Sequence, residues 1–131
     1  MLKGASVIAT IPTQDLNRAK QFYADKLGLT PTEETPEGLT YQMDDGTAFL
    51  LFLSSGKASG AHTQMGLDVD DVHAEVKDLK ARGVQFEEYD LPGLKTVDSV
   101  ADIGPGQAAW FKDSEGNLIA IGLRVPVGAA R

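Results

Sequence analysis

The segment "DLNRAKQFYADKLGL", residues 15–29, decides the fold. Leu16, Ala19, Phe22, Tyr23 and Leu27 recur at helical spacing, so one face of the segment is apolar. Asp15, or Thr13 just before it, is placed to cap the first turn, and Gly28 to end the helix in the left-handed conformation. Upstream, "ASVIATIP" (5–12) is rich in β-branched residues and stops at Pro12, which predicts a strand. Downstream, short strands are expected at about 29–35 and 38–43, followed by a turn at "DDG" and the apolar strand "TAFLLFLS" (47–54). Asp45-Gly46 between two strand-like runs is a hairpin signal.

After the small, flexible connector "SSGKASG" (54–60) the pattern begins again. Its Gly56-Lys57 pair lacks the upstream glycine of a phosphate-binding loop. "TQMGLDV" (63–69) reads as a strand, and "DDVHAEVKDLKARG" (70–83) as a helix with Val72, Val76 and Leu79 on one face. "VQFEE" (84–88) reads as a strand and 89–106 as a long loop. A closing hairpin follows, from "QAAWFKD" (107–113) through "SEG" to "NLIAIGLR" (117–124). The halves align: Asp15-Leu16 with Asp71-Val72, Gly28-Leu29 with Gly83-Val84, and Gly46 with Gly116. Such repetition predicts two modules that share a core or a cleft. The expected fold is therefore α+β, two βαβββ modules forming a curved mixed sheet around a central cavity. A single domain over 1–131 is expected, with module one at about 5–54, a linker at 55–62, module two at about 63–124 and a tail at 125–131.

Composition narrows the function. The 131 residues suffice for one domain with a real core, and 42% hydrophobic with 24% charged residues is an ordinary globular balance. No apolar run is long enough for a membrane helix, and "MLKGASVIAT" is too short and interrupted for a secretory signal, so a cytoplasmic protein is expected. With no cysteine there is no disulfide, thiolate metal site or cysteine nucleophile. A net charge of −7 disfavours nucleic acid and anionic membranes, whereas a neutral or cationic small molecule suits the field.

The doubled βαβββ pattern, with "DLNRAKQFYADKLGL" after the first strand and "WFKDSEGNLIAI" near the end, resembles the vicinal oxygen chelate superfamily, which includes glyoxalase I, bleomycin-resistance proteins, fosfomycin-resistance proteins and extradiol dioxygenases. The resemblance runs from about residue 5 to 124 and speaks to fold more than to activity. It implies that metal-using members draw His, Glu or Gln ligands from the first and last strands of each module. Carried through the repeat, those positions fall at Ile8 and Gln64 and at Leu50 and Ala120. Ile8, Leu50 and Ala120 have no lone pair to offer, and the Gln64 amide alone falls short of the roughly three protein ligands of a catalytic metal. No metal and no cofactor are therefore expected. The resemblance then points to the metal-free, bleomycin-resistance kind of member, a homodimer that sequesters a hydrophobic or aromatic small molecule. The alternatives are a metal-dependent glyoxalase-like lyase, isomerase or dioxygenase, and a ligand-sensing module.

Each candidate residue carries two readings. His62, two residues before Gln64 and of the same strand parity, is a polar connector residue, a contact at the cavity rim, or a metal ligand. Gln64 either bonds a neighbouring strand or contacts ligand. Trp110, Tyr41 and Phe52 either fill the core or line the pocket. Asp68 is a solvated or capping carboxylate or a general base, and His73 a solvated helix residue. The 89–106 loop, with Lys95, Thr96 and Asp98 as its polar centre, is a lid or binding loop, or else a surface excursion or a dimer contact.

Overall fold

The computed structural model describes residues 1–123, so the tail expected at 125–131 lies outside the described residues. The first module comprises β1 (Ala9–Thr13), α1 (Leu16–Leu27), β2 (Glu33–Thr35), β3 (Gly38–Gln42) and β4 (Ala48–Leu53), with strand order β1-β4-β3-β2. The second comprises β5 (Thr63–Val69), α2 (Val72–Ala81), β6 (Asp90–Leu91), β7 (Leu94–Val97), β8 (Val100–Ile103), β9 (Gly106–Lys112) and β10 (Leu118–Leu123), ordered β5-β10-β9-β8-β7-β6. The class is the α+β one expected, with one sheet per module.

The duplication extends to backbone detail. Asp15 caps α1 by accepting from Arg18 N at 3.0 Å, and Asp71 caps α2 by accepting from Ala74 N at 3.0 Å. In both turns the glycine has positive φ, Gly46 at 90° and Gly116 at 83°, and its N–H donates three residues back, to Met43 O and Asp113 O. β1 pairs in parallel with β4, and β5 with β10, in equivalent register: Thr10 stands beside Leu50 as Gly66 stands beside Ala120.

Three departures have physical reasons. β1 begins at Ala9 and not residue 5, because its ladder with β4 begins there, with Ala9 opposite Phe49. It runs past Pro12 to Thr13, since an edge strand tolerates a missing N–H donor. The strand expected at 84–88 is reduced to a bridge between Phe86 and Phe111, with Glu87 N donating to Trp110 O. The expected 89–106 loop is a meander of β6, β7 and β8. Its sharpest turn is built on Asp98 and Ser99, both at positive φ (50° and 75°) between the paired residues Val97 and Val100. That is a two-residue hairpin turn without the usual glycine, so the signal was absent from the sequence. Glu88 secures it by accepting from Thr96 Oγ1 (2.6 Å), Ser99 Oγ (2.8 Å) and Ser99 N (3.2 Å).

The buried residues of both modules form one contiguous core on the helix-bearing faces. Under α1, Tyr23 lies 5.5 Å from Tyr41 and 5.8 Å from Phe49, which are themselves stacked at 4.7 Å. Under α2 the cluster is mostly aliphatic, with Val72, Val76 and Leu79 joining Phe111, Ile119 and Ile121.

The modules are tied by the β9–β10 turn. Asp113 accepts from Tyr23 OH at 2.7 Å and from the N–H groups of Glu115 and Asn117, both at 2.9 Å. Asn117 Nδ2 donates to Pro12 O at 2.9 Å. The Glu115 side chain, 0% exposed, accepts from Arg18 Nε (2.7 Å) and Nη2 (2.9 Å) and from the N–H groups of Gln14 and Asp15 at the start of α1. Burial pushes its carboxyl up, but these hydrogen bonds outweigh it and hold the pKa at about 2. Tyr23 is pushed well above its ordinary value, chiefly by burial and then by the Asp113 charge.

A carboxyl whose folded pKa lies below its unfolded value of about 4.3 contributes stability above that value and loses it as pH falls. Urea unfolding should show Glu115→Gln to be less stable than the parent by on the order of 3 kcal/mol at pH 7, and the difference should shrink steadily between about pH 5 and pH 2. A pH-independent difference would refute the assignment.

Candidate functional site

Each sheet has one face against its helix and one face away from it. On the first sheet the open face presents Thr10, Pro12, Thr40, Leu50 and Phe52, all half-buried or exposed, while their strand neighbours Ile11, Tyr41 and Leu51 are buried in the core. On the second it presents Gln64, Gly66, Ala120 and Trp110, while Met65, Ile119 and Phe111 are buried. Strand alternation thus places on these faces three of the four positions that the resemblance assigns to metal ligands, Leu50, Gln64 and Ala120. Ile8 precedes β1 and is 47% exposed.

Gln64 is the extra residue of a β-bulge, since β10 pairs Leu118 with Thr63 and then Ile119 with Met65. Its amide Nε2 lies 3.4 Å from Thr10 O, so it links the two sheets where β5 passes β1. Trp110 stands beside Ala120 in the ladder, donates from Nε1 to Thr63 Oγ1 at 3.3 Å and meets Tyr89 edge-on at 5.6 Å. The two aromatic rings make a continuous apolar ledge. Phe52 pairs with Gly38, which has no room for a side chain: a Cβ there would come within 2.9 Å of Leu51 O. His62 is exposed on the connector, 3.5 Å from Ser59 Oγ.

Tyr41 takes the opposite face. The repeat makes Thr40 the counterpart of Trp110 and Tyr41 the counterpart of Phe111, and strand alternation then buries Tyr41 beneath α1. Its place in the core corrects the pocket-lining reading. The same burial, with Glu34 nearby, raises its pKa to about 12, and its hydroxyl has no partner among the described residues. The polar centre of the 89–106 segment divides: Thr96 is buried and holds Glu88, whereas Lys95 and Asp98 edge a shallow hollow of about 470 Å³ with His73 and Gln107. Thr10 and Thr40, hydroxyls on the open face, went unmarked in the sequence because single threonines in strands carry no signal.

The residues at the four ligand positions do not fit a divalent cation: three offer only carbon, and the fourth is a neutral amide placed by Thr10. Among the described residues, no three His, Asp or Glu side chains converge on a point.

A larger cleft, about 670 Å³, lies elsewhere, between the β3–β4 turn, the end of α1 and the β5–α2 arm. Its floor is Leu79, Phe111 and Ile121, its walls include Leu27, Met43 and Leu67, and Asp68 stands at its rim. Leu27 and Leu79, which periodicity places on the apolar helix faces, border this cleft.

The division between core and open face is measurable by urea unfolding. Tyr41→Ala should cost about 3–5 kcal/mol, as a fully buried aromatic does, and Trp110→Ala about 1–2 kcal/mol. Equal costs would contradict the facing derived above.

Comparison with known proteins gives the family. The profile of the Glyoxalase/Bleomycin resistance protein/Dioxygenase superfamily matches residues 6–121. Among solved structures, a bleomycin-binding protein complexed with bleomycin is similar at 19% identity and TM-score 0.69, with 92% of this chain and 98% of that one covered. TnmS3, an antibiotic binding protein from Streptomyces sp. CB03234, is similar at 22% identity and TM-score 0.62, covering 93% and 98%. A lactoylglutathione lyase from Agrobacterium tumefaciens is similar at 20% identity and TM-score 0.61, covering 91% and 93%. No curated protein gives a significant match. At these identities the structures speak to fold alone. The doubled βαβββ architecture and a profile match over nearly the whole chain place this protein in the Glyoxalase/Bleomycin resistance protein/Dioxygenase superfamily.

Proposed function

We propose that the chain is a metal-independent, cytoplasmic, homodimeric protein that binds and sequesters a hydrophobic or aromatic small molecule against its open sheet faces. The observation that carries this reading is the chemistry of those faces. The positions where metal-using relatives hold ligands carry Ile8, Leu50 and Ala120, and around them stand Phe52, the Trp110–Tyr89 ledge and the Gln64 amide. That is the composition of an organic pocket, large apolar contact area with a few placed polar groups. The similar bleomycin-binding and antibiotic binding proteins support the ligand class.

The proposed dimer follows from exposure. In the single chain the ledge and Phe52 are half-buried, and Val7 (98%) and Ile8 (47%), just before β1, expose large apolar surface. A second copy laid over these faces would enclose the pocket and cover that surface. His62, at the start of β5, would stand at its rim. Among the described residues, no helix is long and apolar enough to cross a membrane.

Screening hydrophobic antibiotics and aromatic metabolites by thermal shift should find a stabilising ligand, worth about 2.7 kcal/mol at a hundredfold excess over its Kd. Gln64→Ala and Trp110→Ala should each weaken that ligand about tenfold or more. Sedimentation should give a dimer, and metal analysis of protein purified without chelator should give none in stoichiometric amount. Stoichiometric Zn, Ni, Fe or Mn, or unaltered affinity in both variants, would overturn the proposal.

A further inference from the structure

We propose that Glu88 is a positioning residue for the open-face pocket, its carboxylate acting through the Thr96 hydroxyl to fix the Tyr89 ring against Trp110. This role rests on the open-face reading and deepens it, by setting the geometry of the ledge against which an aromatic ligand would lie.

The two rings of the ledge are held by different means. Trp110 belongs to β9, and its indole donates to Thr63 Oγ1 at 3.3 Å. Tyr89 lies outside any strand, between the Phe86–Phe111 bridge and the two-residue β6. Glu87 N donates to Trp110 O at 2.8 Å, which brings the segment alongside Trp110 but does not orient Tyr89. Tyr89 faces Thr96 of β7, whose N–H donates to Tyr89 O at 2.9 Å. A hydrogen-bonded pair in an antiparallel ladder returns its second bond to the facing carbonyl. Here Tyr89 N donates to the Thr96 side chain, reaching Oγ1 at 2.8 Å.

The place of Tyr89 therefore depends on how the Thr96 hydroxyl is turned. A hydroxyl has one proton, and to accept the Tyr89 N–H it must send that proton elsewhere. Two acceptors compete for it, Glu88 Oε1 at 2.6 Å and Tyr89 O at 3.3 Å. The carboxylate prevails, being nearer and charged. Ser99 steadies it from the other side: its Oγ donates to Oε2 at 2.8 Å and its N–H to Oε1 at 3.2 Å. Ser99 is itself buried, in the left-handed turn. An exposed glutamate ordinarily keeps its oxygens in water, so three protein donors hold this one in a defined orientation. The chain Ser99–Glu88–Thr96–Tyr89 ends at a ring standing edge-on to Trp110, 5.6 Å away and inclined at 85°. A ring fixed in advance costs little ordering when a ligand arrives, so Glu88 contributes affinity without touching the ligand.

Trp110 is the sole tryptophan, so its emission reads the ledge directly. Glu88→Ala and Thr96→Val should move that emission to longer wavelength and increase its quenching by acrylamide. Val100→Ala, which trims the core beneath the same meander, should do neither. Binding is read with N-phenyl-1-naphthylamine, a neutral aromatic probe that fluoresces in apolar surroundings. Its affinity should fall about fivefold in Glu88→Ala and in Thr96→Val. The loss should stay under about twofold in Val100→Ala and in Thr96→Ser, which keeps the hydroxyl. In a Tyr89→Leu background Glu88→Ala should cost nothing further, because it acts through that ring. The role of Glu88 is overturned by unchanged Trp110 emission in both Glu88→Ala and Thr96→Val, by equal losses in Thr96→Val and Thr96→Ser, by an equal loss in Val100→Ala, or by additive losses from Glu88→Ala and Tyr89→Leu. If Trp110→Ala weakens the probe and Glu88→Ala does not, the positioning role falls and the open-face pocket stands. If the parent does not bind the probe, or Trp110→Ala leaves its affinity unchanged, the open-face pocket falls and the role of Glu88 falls with it.

Discussion

The molecule depends on one interaction between its halves, the seating of the Asp113–Asn117 turn against α1. A carboxylate with no exposed side-chain surface is costly unless its oxygens are satisfied, and Glu115 meets that condition with two guanidinium contacts from Arg18 and two backbone N–H groups at the start of α1. Its negative charge also sits at the positive end of that helix. Asp113 binds the Tyr23 hydroxyl and Asn117 binds the Pro12 carbonyl, so helix, edge strand and turn are fixed by adjacent residues of one hairpin. Because this lock orients the modules, it also decides which sheet faces remain open.

The place where the β3–β4 turn meets α2 shows what the duplication permits once one copy has secured the fold. With Leu79 in place of Tyr23 and Ala74 in place of Arg18, α2 carries neither the ring nor the guanidinium there, and a cleft of about 670 Å³ lies beside Leu79. One half of the protein therefore carries the polar lock and the other carries a cleft. The core follows the same division, with aromatic packing under α1 and mostly aliphatic packing under α2.

Much of the fold was legible in the sequence because its signals are local. Asp15, Gly28, Asp71, Gly46 and Gly116 act within a few residues of themselves, and each does in the structure what its chemistry predicts. The meander from Asp90 to Ile103 was not legible. Its turn at Asp98 and Ser99 adopts left-handed angles without glycine, and Glu88 holds it from eight to eleven residues away. Within the candidate site, both readings of the aromatic residues stood open in the sequence, and the structure puts Phe52 and Trp110 on the open faces with Gln64, and Tyr41 in the core. An error of one residue in a strand reverses the face, which is why the registers of β3 and β9 mattered there.

By itself the sequence determined the two-module α+β architecture, the helix caps and turn glycines, and the lack of donor side chains at three of the four ligand positions. Those properties belong to periodicity, short-range hydrogen bonding and side-chain chemistry, all of which read along the chain. Only the tertiary structure decided that Glu115 is buried against Arg18, residues 97 apart, and that Gln64 bridges to β1. It alone placed a cleft beside Leu79 and not a closed core. Whether an apolar residue fills a space depends on what reaches that space from the other half of the molecule, and that distance in sequence leaves no local mark.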